Sequence, residues 1–204
     1  MRNEHFYFPI TSNDYWIMDS TAELEKLKLE IGIKAKNGID FILAASIIWI
    51  GIFAIWKYLP DASYNKSVYT FIWGSMLLPL ALALSKILKT NWKIKGNPLQ
   101  PLGLWLNFAQ LIYFPFLVFI LVKQPDYFIM AYAIITGAHL FPYAWYYNET
   151  GYAATSIFIS VGSLIIALSV QPANICYVPI FTAISLLLLG IRLMLKNKRT
   201  GSRA

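Results

Sequence analysis

The sequence has few charged residues and almost no thiol or imidazole groups. Only 13% of its 204 residues are Asp, Glu, Lys or Arg, about half the share of an ordinary soluble domain. One cysteine excludes an intrachain disulfide and a multi-cysteine metal site, and two histidines are too few for a typical histidine-based metal site. HExxH, GxSxG and glycine-rich phosphate motifs are missing. The sequence therefore predicts no catalytic residue, metal or cofactor.

Apolar residues take the place of the missing charge, and they are gathered in long runs. In the clearest run, residues 39–59, only Asp40 and Lys57 are charged. Crossing a hydrocarbon core of about 30 Å requires ~20 helical residues. We therefore predict an all-α integral membrane bundle of six transmembrane helices, at residues 38–59, 66–88, 101–122, 126–147, 151–170 and 174–195.

The residues before the first run divide into two parts. Residues 1–18 have no apolar period and are interrupted by Pro9, so they predict an irregular arm, and Met18 offers a second start for the functional chain. In residues 19–37, apolar side chains share one helical face at Leu24, Leu27, Ile31 and Ala35. With lysines off this face, the segment predicts an amphipathic helix on the membrane surface. The alternative is a soluble arm that packs on nothing.

Basic residues are divided unevenly between the two ends of the predicted bundle. With the N-terminus in the cytoplasm, inside segments carry fourteen of the seventeen, and outside segments carry only Lys57, Lys66 and Lys123. This bias predicts cytoplasmic positions for both termini. We expect the basic tail, residues 196–204, to contact anionic lipid headgroups. The net charge of +7 is thus explained by topology, and no module predicts nucleic-acid binding.

Polar side chains inside the runs are the candidates for function, because they are costly in lipid and usually face other helices or water. Asn107 and Gln110 share one face of the third predicted span, and Asp40 lies near the inner end of the first. One face of the fourth span carries five polar or aromatic side chains: Tyr132, Thr136, His139, Tyr143 and Tyr146.

The directions of the predicted spans bring several of these groups to a common depth. The third span runs outward and the fourth inward, so their polar residues fall in the cytoplasmic half, where the first span begins. We therefore hypothesise a ligand-binding polar pocket formed by Asp40, Asn107, Gln110, Thr136, His139 and Tyr143. A structural interpretation is also open: His139 would only hydrogen-bond a neighbouring helix, and Asp40 would lie beside Lys36 at headgroup level.

Prolines inside predicted spans remove backbone donors and tend to kink helices. They predict ordinary bundle shaping or, alternatively, a hinge or a cavity wall, at Pro79, Pro115, Pro142 and Pro179. Three functional hypotheses follow from the pattern as a whole. The first is binding or transport of a small or amphipathic molecule through the pocket, with a homo-oligomer expected for a transporter. The second is a membrane scaffold or accessory subunit without a ligand, and the least favoured is an intramembrane enzyme on lipids.

Two segments carry a family resemblance: residues 36–49, KNGIDFILAASIIW, and residues 134–145, IITGAHLFPYAW. They resemble a family of small bacterial multi-span membrane proteins defined only by a domain of unknown function, over roughly residues 20–195. The resemblance implies a bacterial inner-membrane location. It implies no activity, so no functional residues are carried over from it.

Overall fold

The computed structural model describes the backbone of residues 12–201 and the side chains of residues 20–199. This part of the chain is helical and contains no strand. Its α-helices are α1 (Ser12–Lys34), α2 (Ile39–Tyr58), α3 (Ser63–Gly74), α4 (Leu77–Leu88), α5 (Gln100–Leu111), α6 (Phe114–Lys123), α7 (Phe128–Tyr146), α8 (Thr150–Ser169) and α9 (Tyr177–Gly201). Short 3-10 turns precede α2, α7 and α9.

Within the described residues, six helical stretches are long and apolar enough to cross a membrane. They are, as the first to sixth spans, Lys36–Tyr58, Ser63–Leu88, Gln100–Lys123, Pro125–Tyr146, Thr150–Ser169 and Pro172–Arg199. The predicted all-α bundle of six spans is confirmed. The sixth span extends beyond residue 195, because Arg192 and Lys196 of α9 make ion pairs with Glu149 that hold this end of the helix.

Four helices, α2, α7, α8 and α9, pack side by side in a continuous series. Helix α7 lies along α8, α8 lies along α9, and α9 lies along α2. Gly137 permits the close approach of α7 and α8, since a Cβ there would lie 3.0 Å from the backbone nitrogen of Ser160. The second and third spans are peripheral. In the most apolar stretch of each, 11% of the residues are buried, against 50% in the first, fourth and sixth spans.

The peripheral spans are each interrupted near their middle. The second breaks between α3 and α4, shortly before Pro79, and the third breaks between α5 and α6, where Pro115 occupies the first turn of α6. Pro142, by contrast, lies inside the continuous helix α7. Pro179 is in the first turn of α9, where a missing N–H is tolerated. The kinks expected from the prolines thus correspond to helix breaks at Pro79 and Pro115 only.

Helix α1 differs from the predicted amphipathic segment in two respects. It begins at Ser12, so residues 12–18 are helical and the expected irregular arm is wrong for them. Ser12, Asn13 and Asp14 are residue types that favour helix N-termini, which an apolar period does not reveal. Residues 1–11 lie outside the described part. The predicted apolar face is partly covered by protein: Ile31 is 1% exposed, and the other three residues are half-buried. Its contact with the membrane surface stays a prediction.

Candidate functional site

The start of the first span and the end of the last span meet two loops at one end of the bundle, which we call the polar end. It comprises residues 36–38 before α2, the loop of residues 89–99, the turn of residues 147–149 and the last turns of α9. Helix α1 lies across it. The amide of Asn97 donates to the carbonyl of Leu27 at 3.0 Å, and the amide of Asn148 donates to Oε2 of Glu25 at 2.9 Å. Helix α1 therefore bridges two loops.

Asp40, in the first turn of α2, holds the loop of residues 89–99. Its side chain is buried, at 1% exposure. Oδ2 accepts hydrogen bonds from Oγ1 of Thr90 and from Nε1 of Trp92, both at 2.6 Å. The Trp92 ring also stacks on Phe41, with centroids 4.8 Å apart. Lys36 donates instead to the carbonyl of Leu88 at 2.7 Å, so Asp40 acts here as an acceptor for loop donors.

The junction between α1 and α2 has an unusual backbone that other helices complete. Lys36, Asn37 and Gly38 all have positive φ, at 48°, 54° and 70°. This left-handed run turns two carbonyl groups away from the helical pattern. Asn197 donates to the carbonyl of Lys36 at 2.9 Å, and the Tyr152 hydroxyl donates to that of Asn37 at 2.6 Å. The start of the first span is thus fixed by α8 and α9.

Glu149 forms the second acidic centre of the polar end. It caps α8 by accepting from the backbone N–H of Gly151 at 3.0 Å, and its two oxygens accept from Arg192 and Lys196, each at 2.7 Å. Burial raises the pKa of this carboxyl, but the hydrogen bonds from Lys196, Arg192 and Gly151 outweigh burial and leave the pKa below its usual value. This Glu149 clamp, formed with Arg192 and Lys196, ties the turn of residues 147–149 to α9.

An aromatic cluster fills the space just inside the polar end. Tyr143 lies edge-on to His139, with ring centroids 5.4 Å apart, and stacks on Tyr147 at 5.8 Å. Tyr152 lies 5.9 Å from Tyr143. The hydroxyl of Tyr143 is buried and has no hydrogen-bond partner among the described residues. A buried hydroxyl usually finds a partner, because leaving it unpaired costs free energy.

The contact between α5 and α7 sets the level of the two amides on the third span. A Cβ at Gly103 would lie 2.6 Å from the hydroxyl of Tyr146, so these positions face each other. Because the helices belong to consecutive spans and run in opposite directions, seven residues further along α5 brings Gln110 to within about one helical turn of the level of His139. By the same count, Asn107 lies at about the level of Tyr143.

The predicted site residues are spread along the bundle axis. Asp40 is at the polar end, bonded to the loop of residues 89–99. The other five lie in α5 and α7, where Thr136 and Tyr143 are about 10 Å apart along the helix axis: Asn107, Gln110, Thr136, His139 and Tyr143. Asn107 donates to the carbonyl of Gly103 in its own helix at 3.0 Å. His139 and Gln110 are half-buried, and Thr136 is buried. A common pocket for all six remains a prediction.

Several residues of the polar end were not found by sequence reasoning. Trp92 and Asn197 make their bonds to residues 52 and 160 positions away in the chain, and no local period predicts such pairs. Tyr152 is only 2% exposed, and its hydrogen bond to the carbonyl of Asn37 spans 115 positions. Lys196, the first residue of the basic tail, pairs with Glu149, as does Arg192. Arg203 lies outside the described residues.

The described residues contain no group of three His, Cys, Asp or Glu side chains that could hold a metal ion. Together, the six spans and their polar end define a multi-pass helical membrane protein. The chain belongs to DUF7010, a family of unknown function, whose sequence model matches residues 24–196. The family resemblance is thereby confirmed. No curated protein and no solved structure matches the chain significantly.

Proposed function

We propose that this protein binds a small amphipathic molecule between α5 and α7, in the half of the membrane nearer the polar end. The observation that carries the proposal is the buried Tyr143 hydroxyl, which lacks a partner among the described residues. His139 is in ring contact with Tyr143, and the register of α5 brings Gln110 to within about one helical turn of the same depth. A bound polar group would satisfy the hydroxyl, as small-molecule sites commonly combine an apolar wall with a few polar groups.

The proposal includes an orientation. We place the polar end in the cytoplasm, at the inner membrane of a bacterium, because most of the lysine and arginine residues lie there. Lys198 and Arg199 are exposed near the end of α9, and they would contact anionic headgroups. Transport, as distinct from binding, would require the site to open toward both sides, and a homo-oligomer would then be expected.

A second candidate is an accessory subunit without a ligand. The observation that favours it is the exposure of the second and third spans, of which 11% is buried. These two spans could pack on a partner helix instead of lipid. In that case the unpaired Tyr143 hydroxyl is only a packing defect, and replacing it with hydrogen would stabilise the fold.

The experiment that tests ligand binding is native mass spectrometry of protein purified with its lipids, comparing wild type with Tyr143→Phe and His139→Ala. Tyr58→Phe is the matched control, since Tyr58 is 71% exposed at the opposite end of α2. We expect a co-purified species that is lost or strongly reduced in both site variants and retained in the control. An unchanged set of bound species, together with a more stable Tyr143→Phe variant, would favour the accessory subunit.

A further inference from the structure

The helices around the proposed site carry no charge at its level. Helices α5, α7 and α8 contain no Asp, Glu, Lys or Arg. The nearest acidic groups of the polar end are occupied: Asp40 accepts from Thr90 and Trp92, and Glu149 accepts from two basic side chains of α9. A charged ligand head at the level of His139 would therefore lack a counter-charge in a medium of low dielectric constant, which is costly.

The polar groups that are present can both donate and accept hydrogen bonds. The Tyr143 hydroxyl is one donor and one acceptor, and the Gln110 amide offers both functions. Asn107 is partly committed, because its amide nitrogen donates to Gly103. Within the described residues, the buried Tyr143 hydroxyl has no hydrogen-bond partner. This set matches a hydroxyl or carbonyl group, which needs few partners and no counter-ion.

The packing of the peripheral spans offers a lateral route for an apolar tail. The second and third spans meet through Phe71 of α3 and Phe114 of α6, with ring centroids 5.7 Å apart. Beyond their breaks they are held by different helices, since α4 packs on α2 whereas α5 packs on α7. A tail could extend into the lipid between α4 and α5, on the same side of the breaks as the loop of residues 89–99.

Building on the proposed function, we infer that the ligand is an uncharged amphipath with a hydroxyl or carbonyl head, such as a monoacylglycerol or a lipid of similar chemistry. The head contacts Tyr143 and Gln110, and the tail leaves between α4 and α5. Anionic and cationic amphipaths of the same chain length are excluded by the missing counter-charge.

The test uses three probes of equal chain length: a monoacylglycerol, a fatty acid and an alkyltrimethylammonium ion. Binding to the full-length protein in a nonionic detergent is measured by native mass spectrometry and by the shift in thermal midpoint. We expect tight binding of the monoacylglycerol alone, with affinity reduced about tenfold in Tyr143→Phe and Gln110→Leu, the loss that ~1.4 kcal/mol produces. Tyr58→Phe should bind as wild type does.

The outcomes separate the two proposals. If a charged probe binds in preference and loses affinity in Tyr143→Phe, the inference about the uncharged head is overturned while the proposed function stands. If no probe binds in a manner that depends on Tyr143, and native mass spectrometry finds no co-purified species, both are overturned. A folded Tyr143→Phe variant is expected, since only one oxygen atom is removed.

Discussion

Asn37 and Asn197 join the first span to the last. The side-chain amide of Asn37 donates to Oδ1 of Asn197 at 2.7 Å, and the amide of Asn197 donates to the carbonyl of Lys36 at 2.9 Å. The two residues are 160 positions apart in the chain. Their pairing shows that the membrane-spanning region begins and ends at the same end of the bundle.

Replacing Asn197 with alanine should destabilise the fold. Both hydrogen bonds disappear, and the carbonyl of Lys36 loses its donor in a left-handed segment, at a cost of about 1–3 kcal/mol. The single cysteine, Cys176, is 1% exposed and reports unfolding when a thiol-reactive fluorophore is added during heating. We expect a lower midpoint for Asn197→Ala and an unchanged one for Lys198→Ala. Equal midpoints would show that the pair contributes nothing.

Asp40 should protect the loop of residues 89–99 from proteolysis. Asp40→Asn keeps the shape but loses the charge that strengthens the bonds from Thr90 and Trp92. Bonds to charged groups contribute about 1.5–3 kcal/mol, so cleavage of this loop by trypsin should accelerate roughly tenfold. The exposed Lys89, Lys93 and Lys95 are the sites of cleavage. The control is Asp126→Asn, an exposed carboxylate. Unchanged digestion of Asp40→Asn would refute this role.

The Glu149 clamp should make stability depend on pH in a defined direction. The pKa of Glu149 is lowered from 4.5, so the folded state favours the ionised carboxylate. The stabilisation that the ionised carboxylate contributes is complete above pH 4.5, and it is lost as the pH falls through the lowered pKa of the folded state. In thermal melts followed by circular dichroism, wild type should exceed Glu149→Gln at pH 7, and the difference should shrink below pH 4.5. A difference that grows on acidification would contradict the assignment.

Gly51 should tolerate no side chain, because the Trp73 ring of the second span lies directly on it. A Cβ at Gly51 would overlap Nε1 of Trp73, which donates to the carbonyl of Ile48 at 2.9 Å. Gly51→Ala should therefore displace the indole and cost about 1–3 kcal/mol. Adding Trp73→Phe should recover part of this loss. Ala83→Val, at an exposed position of α4, is the control for added volume.

The six spans could be predicted from sequence because long apolar runs have few alternatives to crossing a bilayer. Residues 38–59 were predicted, and the first span is Lys36–Tyr58. Proline was a weaker guide. Pro79 and Pro115 coincide with breaks in loosely packed spans, whereas Pro142 lies in α7, whose close packing along α8 keeps the helix continuous.

The partners of the polar residues could not be predicted, because they depend on contacts between distant segments. Asp40 was identified as a functional candidate, but its donors Thr90 and Trp92 lie in a loop with no periodic signal. The apolar face of α1 shows the same limit. Its apolar period predicted a helix correctly, yet period alone does not distinguish a face that packs on lipid from one that packs on protein.

The central prediction is a six-span topology in which the polar end, with the first and last residues of the membrane-spanning region, lies on one side of the membrane and the proposed site lies in the nearer half. Single cysteines introduced by Lys57→Cys, Lys123→Cys, Lys95→Cys and Lys198→Cys in a Cys176→Ala background test it with a membrane-impermeant maleimide on intact cells. We predict labelling at positions 57 and 123 only, with positions 95 and 198 labelled after lysis. Labelling of positions 57 and 198 from the same side would contradict the topology and the depth of the proposed site.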